Sequence, residues 1–114
     1  MKKTFNLRNV SLLRITLFTG LILLLLIAGT IENITAIDEM IKKHLQHWDI
    51  SRLNRVDLAI LRMSVYTLMY QGEIAPSIVI DEAIGISREF GTDDSFRFVN
   101  GVLDNVRKTI QAQL

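Results

Sequence analysis

Apolar residues recur at spacings of three and four along most of this chain, which is the period of an α-helix. The second of these stretches in chain order, from about Asn54 to Gln71, is apolar on most sides, which predicts a central, buried helix. No stretch alternates convincingly with the period of a strand. The pattern therefore predicts an all-α helical bundle with short connections. The first stretch covers residues 27–48, and its apolar stripe consists of Ile27, Ile31, Ile34, Ile37, Ile41, Leu45 and Trp48.

Two more helices are predicted after this central one. The third should end at Gly91 and turn four apolar side chains inward, namely Ile80, Ala83, Ile84 and Phe90. The last follows a polar turn in which Asp94 or Ser95 can cap the free amides. Gly101 interrupts this last helix, where alanine would be more stable by about 0.5–1 kcal/mol, so we expect another helix to pass very close. The inward stripe of the last helix consists of Val99, Val102, Leu103, Val106 and Ile110.

Three segments have distinctive sequences: residues 56–66 (VDLAILRMSVY), residues 76–83 (PSIVIDEA) and residues 95–104 (SFRFVNGVLD). In this order and at this spacing they resemble the signature helices of the NusB antitermination factor family. Residues 29–33 (GTIEN) also resemble part of an earlier helix of that family. The resemblance implies an N-terminally truncated NusB-type RNA-binding bundle over residues 22–114, preceded by a basic and apolar segment over residues 1–21.

The resemblance also implies a function, which is transcription antitermination in the cytoplasm without enzymatic chemistry. Family members bind a boxA-type element of nascent RNA together with a small ribosomal protein that doubles as an elongation factor, near RNA polymerase. The family residues that match Asp94 and Phe98 contact this RNA, and Arg97 lies close enough in sequence to add a phosphate contact. Periodicity alone would instead make Phe98 a core residue and Asp94 a helix cap, so both interpretations stay open here.

The beginning of the chain departs from the family pattern. Family members usually start with an Arg-rich helix that supplies much of the RNA-phosphate contact, followed by a second helix, and this chain has too few residues for both. A truncated reading frame and a shortened variant explain the difference equally well. With that helix missing, we expect an RNA affinity well below that of a complete member.

Residues 15–31 contain no charged side chain and would span about 25 Å as a helix, close to the thickness of a bilayer core. Four basic residues precede this run, as they do in an inner-membrane anchor: Lys2, Lys3, Arg8 and Arg14. A buried core helix explains the same pattern, and the family resemblance favours it. A membrane-tethered helical interaction domain is therefore the alternative function. A second alternative is an accessory RNA-recognition domain like those fused to RNA cytosine methyltransferases. It is disfavoured because no methyltransferase domain follows Leu114 in this sequence.

The charge distribution limits the kind of nucleic-acid binding that can be expected. The net charge is +1, yet residues 32–114 carry nine basic against twelve acidic side chains. This balance is not that of a general nucleic-acid binder, so any RNA contact there must be local.

Other chemistry is poorly supported by the sequence. The chain has no cysteine, which excludes disulfides, thiolate catalysis and cysteine-ligated zinc. His44 and His47 have a spacing that can chelate a metal, but no third ligand stands near them, so we interpret them as surface histidines. The acidic pair at residues 81–82 points apart on a helix, and the pair at residues 93–94 fits helix capping. No cofactor site and no enzyme are predicted.

Overall fold

The computed structural model of the chain describes residues 20–21, 23–45 and 49–114. A first helical segment, α1, covers residues 23–32, and residues 20–21 before it are also helical. The other helices are α2 (Ile34–Lys43), α3 (Arg55–Tyr70), α4 (Pro76–Phe90) and α5 (Ser95–Ala112), with a short 3-10 helix over Ile50–Arg52. No strand occurs in these described ranges, which confirms the prediction of an all-α fold.

Local sequence signals explain where these helices start and stop. The Asn54 side chain caps α3 by accepting a hydrogen bond from the backbone N–H of Val56 at 2.7 Å. Pro76 occupies the first position of α4, where its missing N–H leaves no hydrogen bond unmade. Helix α4 ends at Gly91, where a Cβ atom would lie 2.6 Å from the backbone oxygen of Ser87. Only glycine therefore fits at this junction without a shift of the backbone.

Helix α3 lies at the centre of the bundle and packs against α2, α4 and α5, as its apolar sequence predicts. Side chains from all four helices meet in one core, and burying each large aliphatic group stabilises the fold by about 1.5–3 kcal/mol. The stripe predicted for α5 is confirmed over its first four members, and Ile110 is partly buried at its end. The core residues with no or almost no exposure are Ile37, Ile41, Leu61, Val65, Ala83, Val99, Leu103 and Val106.

An ion pair joins α2 to α3 beside this core. Arg62 donates two hydrogen bonds to the Asp38 carboxylate, from Nε and from one terminal nitrogen, and both are 2.9 Å long. The two side chains are only about one-third and one-fifth exposed. A two-point contact of this kind fixes orientation as well as distance, so it sets the register of α2 on α3.

The first predicted stripe is only partly correct. Ile37 and Ile41 are buried, but Ile27 and Ile31 are exposed by 45% and 66%. The buried side of α1 instead carries Thr30 and, at its end, Asn33. Thr30 donates a 2.7 Å hydrogen bond to the backbone oxygen of Leu26, and the Asn33 amide donates one of 2.8 Å to the backbone oxygen of Gly29.

The cause of this error is physical. Polar side chains whose hydrogen bonds are satisfied within the same helix lose little on burial. The helix was therefore free to turn its polar residues inward and its isoleucines outward. Trp48, the last member of the predicted stripe, lies outside the described residues, as do residues 1–19.

Two other packing predictions were wrong. Phe90 is 69% exposed at the end of α4 rather than buried, because the helix stops there and no other element among the described residues covers it. In the part of the chain that the structure describes, no atom outside this helix turn lies within 4 Å of the position that a Cβ on Gly101 would occupy. The close approach occurs at Gly29, where the ring of Tyr66 occupies the space that any larger side chain would need.

Within the described ranges, no helix combines the length and the apolar character needed to cross a bilayer.

Candidate nucleic-acid interface

A cavity of about 300 Å³ lies between the start of α3 and the start of α5. The 3-10 helix and the Asn54 cap form one wall, and the turn before α5 forms the other. This size is at the lower end of pockets that hold small ligands. The lining residues are Arg52, Leu53, Asn54, Asp57, Thr92, Asp94, Ser95 and Phe98.

Ser95 holds the turn on the α5 side of the cavity. Its hydroxyl accepts a 2.9 Å hydrogen bond from the backbone N–H of Thr92, and its own N–H donates to the Thr92 carbonyl at 3.1 Å. The side chain is almost fully buried, next to Gly91. These bonds fix the direction in which α5 starts, and so the positions of the residues on its first turn.

Asp94 precedes α5 but does not cap it through its side chain. Its carboxylate is 89% exposed, with Arg97 3.9 Å away. Asp94 therefore occupies the N-cap position of α5, as predicted, but its side chain makes no capping hydrogen bond. A carboxylate that makes no backbone hydrogen bond keeps its acceptor oxygens free for a partner in solution.

Phe98 belongs to both the core and the cavity. It is partly buried and packs against the core cluster, while it also lines the cavity. An aromatic ring that is fixed by packing and open on one side is a suitable platform for stacking a planar group.

Arg97 lies outside the cavity lining, on the exposed side of α5. Its guanidinium is 5.3 Å from the centre of the Phe96 ring, and the guanidinium of Arg88 is 4.7 Å from the same centre. Both distances are typical of cation–π contacts. The structure therefore gathers Asp94 and Phe98 around one cavity and leaves Arg97 beside it, while Arg52 contributes a cation to the lining itself.

Asp57 is one member of this cavity that the sequence interpretation missed. It is only 8% exposed, and its Oδ1 atom has no hydrogen-bond partner within the described residues. Leaving a buried acceptor unpaired costs about 1–3 kcal/mol, and more when the group is charged. In the sequence Asp57 looks like an ordinary acidic residue in the first turn of a helix, where it complements the helix dipole. Only its burial shows that it is unusual.

The histidine prediction can be tested in part. The Nε2 atom of His44 lies 3.1 Å from the Thr109 hydroxyl on α5. Burial lowers the pKa of His44, and the neighbouring Lys43 charge lowers the pKa further. Among the described residues no group of three potential ligands could hold a metal ion. His47 lies outside the described residues, so the pair itself stays untested.

Comparisons with known proteins point to one family. The family model described as "NusB family" matches residues 22–108. The transcription antitermination protein NusB of Treponema pallidum (strain Nichols) is 58% identical over 85 residues, which cover 75% of this chain and 60% of that protein. The protein of the same name from Treponema denticola is 58% identical over 83 residues, which cover 73% of this chain and 61% of that protein.

A solved structure has the same fold. The structure of T. maritima NusB superposes with a TM-score of 0.71 at 38% sequence identity, covering 78% of this chain and 66% of that one. The chain thus spans about 60% of the length of the curated relatives it matches.

Proposed function

Because this chain belongs to the NusB family, we propose that it is a transcription antitermination adaptor that binds RNA through the cavity between α3 and α5. The relatives named above are transcription antitermination proteins. The chain spans only part of their length, so their activity comes to this chain as a proposal.

The observation that carries the proposal is the grouping of Asp57, Asp94 and Phe98 around one cavity. An unpaired RNA base can stack on the exposed side of the Phe98 ring, which contributes about 1–3 kcal/mol per base. The Asp57 carboxylate, which lines the same cavity, can then accept a hydrogen bond from an amino or imino group of that base. Asp94 offers a second acceptor at the same cavity. Two carboxylates select bases whose edges present donors, which gives the site sequence preference without a large contact area.

Phosphate contacts come from a few arginines. Arg52 lines the cavity, and Arg97 lies on the first turn of α5, 3.9 Å from the Asp94 carboxylate. Because acidic side chains outnumber basic ones over residues 32–114, the domain cannot attract RNA through a broad positive surface. Each phosphate contact contributes about one unit to the salt dependence of binding. Two arginine contacts predict a shallow slope of about two for this domain.

The partners follow from the family resemblance. The RNA is a boxA-type element of a nascent transcript, and the protein partner is a small ribosomal protein that acts as an elongation factor near RNA polymerase. Such a complex works in the cytoplasm. No covalent step is required, because holding the RNA near polymerase is a matter of affinity and position alone.

The proposal is tested by fluorescence anisotropy with a labelled boxA-type RNA oligonucleotide, with and without the ribosomal protein, over a series of salt concentrations. We expect weak binding by the isolated chain and tighter binding with the partner. Phe98→Ala should weaken binding by about tenfold to a hundredfold, as expected for the loss of one stacked base. Asp94→Asn should reduce the preference for the boxA sequence over a scrambled one.

Phe90→Ala is the matched control, because Phe90 is an exposed aromatic residue that does not line the cavity. It should bind RNA as the unchanged protein does. Equal effects of Phe98→Ala and Phe90→Ala would contradict the proposal. Tight binding with a steep salt dependence by the isolated chain would also contradict it, since this would require many more phosphate contacts than the cavity offers.

A further inference from the structure

The first turn of α5 carries a second aromatic residue, Phe96, on a different side of the helix from Phe98. Residues two positions apart are rotated by about 200° around an α-helix, and Phe96 does not line the cavity. Two arginine side chains share its ring. Arg97 from the same turn lies 5.3 Å from the ring centre, and Arg88 from the last turn of α4 lies 4.7 Å from it. We call Arg88, Phe96 and Arg97 the arginine patch.

The ring restrains both guanidinium groups without using their hydrogen-bond donors. A cation–π contact draws a guanidinium to the face of a ring, whereas its five N–H donors are satisfied only by acceptor atoms. Arg97 lies 3.9 Å from the Asp94 carboxylate, which is too long for a hydrogen bond. Arg88 makes no ion pair with any described residue, whereas Arg62 and Arg107 each donate to a carboxylate. The patch therefore presents two positioned cations whose donors no described residue takes up.

The place of the arginine patch indicates what these donors bind. Guanidinium groups bind phosphate oxygens in a planar, two-point geometry. Arg97 connects the patch to the cavity, because it lies close both to Asp94, which lines the cavity, and to the Phe96 ring. An RNA strand that stacks one base on Phe98 carries its flanking phosphates past the first turn of α5, where the patch lies.

We propose that the arginine patch binds one phosphate of the RNA strand whose base occupies the cavity. Arg88 supplies a contact that the cavity lacks, Arg97 is shared by both sites, and Phe96 positions the two guanidinium groups. Exposed Glu89 and Asp93 flank the patch in the sequence, so it acts at close range rather than through a broad positive field. This inference rests on the proposed RNA function and adds to it a path for the strand across the turn between α4 and α5.

The test measures the binding of a labelled boxA-type RNA to the variant Arg88→Gln over a series of salt concentrations. The affinity should fall by about fivefold to tenfold near about 0.1 M salt, and the salt slope by about one. The loss should be equal for boxA-type and scrambled RNA, because a phosphate contact carries no sequence information. Phe96→Leu keeps both charges and removes the ring, so it should weaken binding by about twofold to tenfold with the slope unchanged.

Lys43→Gln is the matched control, because it removes the same charge near the other end of α5. The neighbouring His44 contacts Thr109, which lies about 18 Å along the helix from Arg97. This variant should keep both the affinity and the salt slope of the unchanged chain. A second measurement replaces one RNA linkage at a time by a neutral methylphosphonate. At one linkage the replacement should weaken binding to the unchanged chain but not to Arg88→Gln.

The inference is wrong if Arg88→Gln and Lys43→Gln have equal effects, or if every methylphosphonate weakens both proteins equally. It is also wrong if Arg88→Gln loses affinity for the ribosomal protein and not for RNA, because the patch is then a protein interface. Circular dichroism establishes that each variant is folded. If Phe98→Ala weakens binding and Arg88→Gln does not, this inference fails and the proposed function stands. If neither variant has an effect, both fail.

Discussion

Replacing Asp57 by alanine should stabilise the protein and weaken its RNA binding at the same time. Asp57 is a buried carboxylate in the first turn of α3, and its Oδ1 atom makes no hydrogen bond to any described residue. A side chain retained for stability alone would not be expected to carry an unpaired buried oxygen. Opposite effects on stability and on binding therefore distinguish a functional from a structural role.

The magnitudes can be worked out from the environment of Asp57. Removing the unpaired oxygen recovers about 1–3 kcal/mol, while losing a negative charge near a helix N-terminus costs about 0.3–1 kcal/mol. The net expectation is a gain of about 1–2 kcal/mol in the free energy of unfolding. One such kcal/mol raises the Tm of a domain of this size by about 4–8 °C. Loss of a hydrogen bond to a charged acceptor should weaken RNA binding by about tenfold to a hundredfold.

The assay combines thermal unfolding, followed by circular dichroism, with RNA anisotropy on the same preparations. Asp57→Asn is the second variant, because it keeps the shape of the side chain while it removes the charge and replaces one acceptor oxygen by an NH2 donor. Its RNA affinity should also fall. The reasoning is refuted if Asp57→Ala lowers the Tm and leaves RNA binding unchanged, since Asp57 would then be a structural residue.

Three further predictions concern the fold itself. Gly91→Ala should destabilise the protein by about 1–3 kcal/mol in urea unfolding, because the added Cβ would contact the backbone. Gly101→Ala should instead stabilise it by about 0.5–1 kcal/mol, because its added Cβ meets no described neighbour. Equal effects of the two variants would contradict this packing. A double-mutant cycle on Asp38 and Arg62 should give a coupling of about 1 kcal/mol, and a value near zero would show that the pair does not hold α2. Because the pKa of His44 is lowered in the folded state, the unfolded chain takes up a proton first as the pH falls below about 6.5. The free energy of unfolding should therefore decrease below that pH. Unfolding measured at several pH values should show a smaller decrease for His44→Gln.

The orientation of α5 and the central position of α3 were the most predictable parts of the fold. The inward stripe of α5 and the central position of α3 follow from the spacing of their apolar residues, since the side that must be buried is the side that is apolar. The end of α4 at Gly91 was also predictable from the residue type. The structure adds the reason, which is the closeness of the Ser87 carbonyl and the Ser95 side chain.

The orientation of α1 could not be predicted in the same way. Both of its sides are apolar enough to be buried, and the inward side carries Thr30 and Asn33, whose hydrogen bonds are satisfied locally. The spacing of apolar residues does not show whether a polar side chain can make its hydrogen bonds within its own helix. The rotation of α1 was therefore decided by the fit of Gly29 against Tyr66, a contact between residues distant in sequence.

The candidate site was predictable only as far as the family resemblance reached. That resemblance gave Asp94 and Phe98, which the structure places around one cavity. It did not single out Asp57 or Arg52. In the sequence, Asp57 resembles an ordinary acidic residue that complements a helix dipole, and Arg52 resembles an ordinary surface charge. Burial and shared lining of a cavity are properties of the folded chain, so these two residues emerged only from the structure.

The most direct test of the central claim is photo-crosslinking of a thiouridine-containing boxA-type RNA to the full chain, followed by trypsin digestion and mass spectrometry. Cleavage after Arg97 and Arg107 releases residues 98–107 as one peptide with Phe98 at its start. We predict that the RNA adduct is on this peptide, and that Phe98→Ala removes it while Phe90→Ala does not. Adducts confined to other peptides, with none at the start of α5, would contradict the assignment of this cavity as the RNA-binding site.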